Sequence, residues 1–209
     1  SDKQTMTDLV STYSSICQQI INACELANRP SSSVCLLAVS KKHPPHAIEA
    51  LYAAGQRDFG ENQIQEAIPK IEALSHLPVT WHFIGPIQSN KTKQIATYFD
   101  WVHTVCRLKE AERLNEQRPA DRPPLKILIQ VNMANEPQKN GIQPEALKEF
   151  VDSLMHLKRL SVEGLMCLPP MTTDVEQQHH YFSTLQRLAS TLRLTVLSMG
   201  TSHDMMTAI

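Results

Sequence analysis

Short, nearly unbroken apolar runs alternate along this chain with longer stretches whose apolar positions recur every three or four residues. Residues 34–39, Val-Cys-Leu-Leu-Ala-Val, are too few for a helix and read as a fully buried strand, which Pro44-Pro45 soon stops. Similar runs recur at 79–84, 101–105, 125–131, 162–166 and 195–198, with a very short one at 58–60. The amphipathic stretches lie between them. Leu9, Tyr13, Ile16, Ile20 and Cys24 form one stripe of a helix over 5–27. Further helices are predicted at 46–54, 63–74, from a Ser89-Asn90 cap to 99, and at 108–117, 144–157 and 175–192. Strand and helix alternate seven times without a break in composition, the pattern of a parallel α/β sheet covered by helices. No G-x-G-x-x-G follows the first strand, which disfavours an open dinucleotide-binding sheet. The expectation is a single domain over 1–209, a (β/α) TIM-type barrel. Such a barrel closes with eight strands, and only seven are legible. A helix is predicted to begin at 204, so the eighth strand is expected to be lacking and strands one and seven to have open edges.

In this architecture polar residues at the carboxyl ends of strands carry the chemistry. Lys41 ends the first strand, Glu61-Asn62 the second, and Ser89-Asn90 follow the third. A partly desolvated lysine there can lose its proton and attack a carbonyl, although a surface lysine just past a strand is the commoner case. After the seventh strand comes Ser198-Met199-Gly200-Thr201-Ser202-His203-Asp204, a small hydroxyl-rich turn leading into the predicted helix. Its glycine lets backbone approach a ligand, and a helix start presents free N–H groups that suit phosphate. Ser202 as a plain N-cap with Asp204 in the first turn explains the segment equally well. Together, a carbonyl-reactive lysine and a phosphate cradle across one barrel mouth are what pyridoxal 5′-phosphate requires. His82, between Trp81 and Phe83, shares a strand face with Ile84. It either faces the interior near such a ligand or, the commoner case, is a hydrogen-bonded core histidine. Asn62 and Asn90 could donate to a ring oxygen or a phosphate, or satisfy loop backbone.

Composition narrows the partners. The 209 residues carry 20 basic and 21 acidic side chains, a net charge of -1, with no basic block. Nucleic acid and polybasic membrane contacts are therefore not expected. No apolar run approaches membrane-spanning length and no signal peptide leads the chain, which does not begin with methionine. Cys17, Cys24, Cys35, Cys106 and Cys167 are odd in number and widely spaced, as suits reduced thiols in the cytoplasm. The nine histidines make no metal-binding pattern, so no metal is expected.

Six ordered motifs go further: Ala38-Val39-Ser40-Lys41, Phe59-Gly60-Glu61-Asn62, Trp81-His82-Phe83-Ile84-Gly85, Gln88-Ser89-Asn90-Lys91, Gly164-Leu165-Met166 and Ser198-Met199-Gly200-x-Ser202-x-Asp204. In this order they resemble the pyridoxal phosphate homeostasis proteins, the YggS/PROSC family, over nearly the whole chain. The resemblance implies a barrel similar to the N-terminal domain of alanine racemase, and a Schiff base between pyridoxal 5′-phosphate and the lysine of A-V-S-K. That motif selects Lys41, which strand parity could not separate in importance from Lys42. It also implies that Ser198, Gly200 and Ser202 hold the phosphate. The expected cofactor-binding set is Lys41, Asn62, His82, Ser198, Met199, Gly200 and Ser202. Such proteins handle the cofactor without turning over a substrate, so a monomer serving pyridoxal-phosphate-dependent apoenzymes is expected. Thr201 stands where many relatives have methionine, and the V-R-I-G strand of the family is not found in this sequence. The competing functions are an amino-acid racemase and an aldolase-type lyase using Lys41 without cofactor. Racemisation needs an acid and a base on opposite faces of the substrate carbon, and in alanine racemase a separate domain supplies the second face.

Overall fold

The computed structural model describes residues 2–134, 139–169 and 174–199, and the backbone of 206–208. Seven strands run parallel: β1 (Leu36–Val39), β2 (Asp58–Glu61), β3 (Thr80–Phe83), β4 (Trp101–Val105), β5 (Leu125–Gln130), β6 (Leu160–Cys167) and β7 (Val196–Met199). Each pairs with the next in sequence. Before them comes α1 (Asp2–Leu26), and between them α2 (Pro45–Ala53), α3 (Ile64–Ala73), α4 (Thr92–Tyr98), α5 (Leu108–Gln117), α6 (Leu147–Leu154) and α7 (Val175–Thr191). Right-handed crossovers of this kind place the helices on the outside of a partial barrel of the expected type.

Three expectations need correction. Residues 206–208 are not helical; they form a strand, β8 (Met206–Ala208), which pairs antiparallel with β1. The outer edge of β1 is therefore covered, with Leu36 opposite Ala208 and Ala38 opposite Met206. A parallel return from β7 to the β1 edge would need a crossover longer than the few residues between Met199 and Met206, so the antiparallel sense is the one this chain length allows. Among the described residues there is no eighth parallel strand, and β8 lies near β7 without a ladder between them. Second, Ser89 and Asn90 do not cap α4. They form a 3₁₀ turn, Ser89–Lys91, and α4 begins without a side-chain cap. Third, Pro144–Ala146 is also a 3₁₀ turn, so α6 starts only at Leu147.

The two faces of the sheet differ. The helix-facing layer is apolar and dry: Phe59, Phe83, Phe99, Ile95, Leu114, Leu125 and Ile127 are all fully buried there. Each such side chain contributes about 1.5–3 kcal/mol by leaving water. In α1 the predicted stripe packs on this layer through Leu9, Tyr13 and Ile16. Register shifts between Val102 and Val105 in β4, and opposite Ile127-Leu128 in β6, each insert one residue. They let Val102 and Val105 both face the helices while His103 turns inward.

Gly164 of β6 lies so close to β7 that a Cβ would overlap the Val196 carbonyl, whereas a Cβ on Gly60 would meet only the Ile84 and Leu37 side chains, at 3.2 Å. Gly164→Ala should therefore prise β7 from β6 and lower the denaturant midpoint by the equivalent of about 2 kcal/mol or more. Gly60→Ala should cost clearly less. Equal losses from the two variants would mean that close approach of β6 and β7 is not required.

Candidate cofactor site

Lys41 follows the last ladder bond of β1, from Ser40 N–H to the Gly60 carbonyl. It is exposed, and no carboxylate among the described residues pairs with it. The partial desolvation expected for it is not seen, because the buried lysine here is another one. Lys70 reaches out of α3 and donates to the Ser40 carbonyl at 2.6 Å, to Glu61 at 3.1 Å and to Glu66 at 3.0 Å. Its ammonium is thus saturated by three acceptors. Ser40 donates its hydroxyl to Glu61, and the backbone N–H of Lys42 donates to Glu66. Lys42 sits in the left-handed region at φ 64°, and the His43 N–H closes the turn on the Ser40 carbonyl at 3.0 Å. Burial pushes the Glu61 carboxyl up, against the hydrogen bond of Ser40 and the charge of Lys70. For Glu66, burial pulls upward but the Lys42 N–H and Lys70 win and hold it below the ordinary range. The turn that carries Lys41 is braced from below by α3 and β2.

His82 is a buried core histidine with both ring nitrogens engaged. Nε2 meets Asp58 at 2.8 Å and Nδ1 meets Nε2 of His103 at 2.9 Å. The other nitrogen of His103 meets the Ser198 hydroxyl at 3.0 Å. Four side chains from β2, β3, β4 and β7 thus form one line across the inner face of the sheet. Trp101 stacks flat on His82, with centroids 5.5 Å apart. Burial would raise the Asp58 carboxyl, but the hydrogen bond and charge of His82 bring it below its ordinary value. Burial, and then the charge of His82, push His103 well below the ordinary histidine range.

Asn62 is half-buried at the end of β2. Its carbonyl lies against Gly85, where any Cβ would overlap it, and the Gly85 carbonyl accepts from Thr104 at 2.7 Å. The loops after β2 and β3 and the end of β4 are thereby locked together. Met199 points away from Ser198 and packs at the edge of the helix-facing core. Gly200 and Ser202 lie outside the described residues. A cavity of about 720 Å³ opens beside the amino-terminal ends of β1, β2 and β4 and runs along β7 to Met199. Asp58, His82 and Trp101 form one wall of it, Phe182 and Gln186 of α7 another, and Met199 borders it; Lys41, Asn62 and Ser198 do not. The structure therefore brings Ser198 and His82 into one network and leaves Lys41 and Asn62 at the mouth. Asp58, Lys70, Glu66 and His103 were not singled out from sequence. Only the Glu66–Lys70 spacing of four on a helix, and the strand alternation that sets His103 two residues on from Trp101, hinted at them.

The family model for the N-terminal domain of alanine racemase matches residues 18–209. A pyridoxal phosphate homeostasis protein of Pseudomonas aeruginosa is 46% identical over 206 residues, covering 98% of this chain and 90% of that one. Its counterpart in Escherichia coli K12 is 41% identical over 212 residues, with 98% and 91% covered. PipY of Synechococcus elongatus, solved with pyridoxal phosphate bound, superposes with a TM-score of 0.76 at 37% identity, over 88% of this chain and 90% of that one. Alanine racemase of Bacillus anthracis shares the fold, with a TM-score of 0.64 at 17% identity; the match spans 91% of this chain but 50% of that one. The barrel is that of the alanine racemase N-terminal domain, and the chain belongs to the pyridoxal phosphate homeostasis proteins that use it.

Two outcomes follow from this geometry. Lys70→Met leaves Glu61, whose side chain is 0% exposed, without its cation. The expected loss at neutral pH is about 3 kcal/mol or more, and Lys70→Met with Glu61→Gln should recover part of it in the same chemical melt. The second concerns His103. Its folded-state pKa is lowered, so the unfolded chain binds a proton below about pH 6.5 that the folded chain refuses. This contribution to stability is present above pH 6.5 and falls by about 1.4 kcal/mol per pH unit below it. His103→Gln should flatten the stability–pH curve between pH 6.5 and 5, and an unchanged slope would place the lost protons elsewhere.

Proposed function

We propose that this protein binds pyridoxal 5′-phosphate and serves its homeostasis, holding the cofactor covalently on Lys41 without turning over a substrate. The observation that carries this reading is the exposed amine of Lys41, paired with no described carboxylate, on a turn braced by Lys70, Glu61 and Glu66. The donor set fits the group: a primary amine at one strand end, an inner-face hydroxyl on Ser198, and an amide at Asn62 beside Gly85. Bound there, the cofactor would supply an aldehyde carbon to the Lys41 amine, its oxygen leaving as water. Ser198, with Met199, Gly200 and Ser202, would hold the phosphate. His82 acts from behind Ser198, since neither ring nitrogen is free. The cofactor-bound relative at 37% identity supports the assignment.

The names of the relatives favour cofactor handling over catalysis. An exposed capture site also suits release, because water reaches the bond to be hydrolysed. The recipients are apoenzymes that need this cofactor. We place the protein in the cytoplasm as a monomer; no described helix is long and apolar enough to cross a membrane, and all five cysteines are unpaired.

Mixing the protein with pyridoxal 5′-phosphate, reducing with borohydride and mapping the peptides should put the label on Lys41. Lys41→Ala should abolish the label and leave the melting curve near that of the parent, since the side chain is exposed. Label on Lys42, Lys70 or Lys91 overturns the assignment. Appreciable racemisation of any amino acid by the loaded protein overturns the absence of turnover.

A further inference from the structure

The line Asp58–His82–His103–Ser198 has a definite polarity. Asp58 is ionised near neutral pH, so His82 must donate to it from Nε2–H. In the form in which His82 carries no second proton, it has only a lone pair at Nδ1, which accepts from Nε2–H of His103. His103 in turn has a lone pair at Nδ1, which accepts the hydroxyl hydrogen of Ser198. In this state Ser198, 3% exposed, has its one hydrogen committed inward and presents only oxygen lone pairs outward.

A phosphate dianion offers acceptors only, so it cannot bind Ser198 in that state without lone pair facing lone pair. One added proton removes the conflict. With His82 doubly protonated beside Asp58, its Nδ1–H donates to Nε2 of His103, Nδ1–H of His103 donates to Ser198, and the serine hydrogen turns out toward the anion. All three bonds persist and each heavy atom stays in place; His82 gains a proton at Nδ1, the His103 tautomer switches, and the Ser198 hydroxyl turns. The proton ends on His82 and its charge is matched by Asp58, so no unpaired charge is buried.

We propose that Asp58, His82 and His103 are positioning residues for phosphate recognition, a chain whose polarity reverses with uptake of one proton when Ser198 binds a phosphate dianion. This rests on the assignment of Ser198 to the phosphate end of the proposed site. The geometry supplies an entry for the proton that does not pass through Ser198 or Lys41. Asp58 and His82 line the cavity of about 720 Å³, far more room than one water needs, and neither Ser198 nor Lys41 does. The other titratable or charged groups facing the chain are Cys35, Lys126 and Arg29. Cys35 donates its thiol to Asp58 at 3.4 Å, and partial desolvation and then the Asp58 charge raise it to about 12, so it stays protonated. Lys126 lies over the Trp101 ring at 5.3 Å, and Arg29 lines the cavity. Neither offers an alternative acceptor to His82.

Pyridoxine 5′-phosphate is the probe, because it carries the phosphate but has no aldehyde to react with Lys41. Titration calorimetry at pH 8 in two buffers of different ionisation enthalpy should show uptake of about one proton per molecule bound, with the ³¹P shift remaining that of a dianion. Asp58→Asn removes the counter-charge for His82. It should abolish the uptake and weaken binding of the probe about tenfold, while capture of unphosphorylated pyridoxal by Lys41 is unchanged. Ser198→Ala, a small truncation that leaves the histidines in place, should also abolish the uptake. Binding of the probe with no proton uptake overturns the chain while leaving the site reading intact. So does uptake that persists in both variants, or a ³¹P shift showing that the phosphate itself took the proton. Failure of the probe to bind the parent protein overturns the phosphate assignment and the chain with it.

Discussion

The Lys70 ammonium, held under the end of β1 by the Ser40 carbonyl, Glu61 and Glu66, fixes the part of the molecule on which the rest of the site depends. A parallel strand that stops leaves its final carbonyl without a ladder partner, and burial makes that omission expensive. Here the His43 N–H and the cation from a neighbouring helix together take up that carbonyl. The same cation pairs with two carboxylates, and those carboxylates pin the Ser40 hydroxyl and the Lys42 N–H. A left-handed turn at a non-glycine residue becomes tolerable because both of its flanks are tied. A consequence is that Glu61 and Glu66 are already saturated. The amine one residue before Lys42 is left without an ion pair, and a lysine tied in a salt bridge would be a poor nucleophile.

The inner and outer faces of the sheet divide the labour. Outside, the phenylalanines and aliphatic residues of the helix-facing layer supply stability through burial alone. Inside, the strands carry a line of polar groups that satisfy each other from Asp58 to Ser198. The line needs the bulge in β4. Without the extra residue between Val102 and Val105, strand alternation could not put both valines outward and still bring His103 between His82 and Ser198. Gly164 serves the same end from the other side, because β7 reaches its register only where β6 has no side chain to obstruct the Val196 carbonyl.

Much of this was legible in the sequence, and the parts that were not share a cause. Most of the parallel strands announced themselves as short apolar runs and their helices by apolar positions every three or four residues, because burial acts on every residue of such a segment; the second strand, at 58–60, was read from its place in the alternation. Residues 206–208 carry too few positions for a period; what orders them is the demand of the open β1 edge, a tertiary fact. Ser89 and Asn90 have the chemistry of a cap, but the backbone spends them in a 3₁₀ turn before α4 begins. The strand-end rule found Lys41 and Ser198, since position alone defines that rule. It missed Lys70 because its meaning comes from Glu61, nine residues away on another element. It missed Asp58 and His103 because a hydrogen-bonded line across four strands leaves no spacing in the chain.

On the proposed reading, the two strand ends hold the cofactor by different means, and the difference suits a carrier. Lys41 on the β1 side makes a bond that water can reverse, while Ser198 on the β7 side makes hydrogen bonds whose strength depends on a proton. Two attachments on one rigid sheet reinforce each other, because the second forms at the high effective concentration set by the first. Tight overall retention therefore does not require either attachment to be strong. Release then needs only that one of them let go. An enzyme that processes a substrate gains from closing its cofactor in and excluding water. A protein that hands the cofactor on gains from the opposite arrangement, an exposed lysine on a stiff turn facing a serine whose donor direction can be switched from behind.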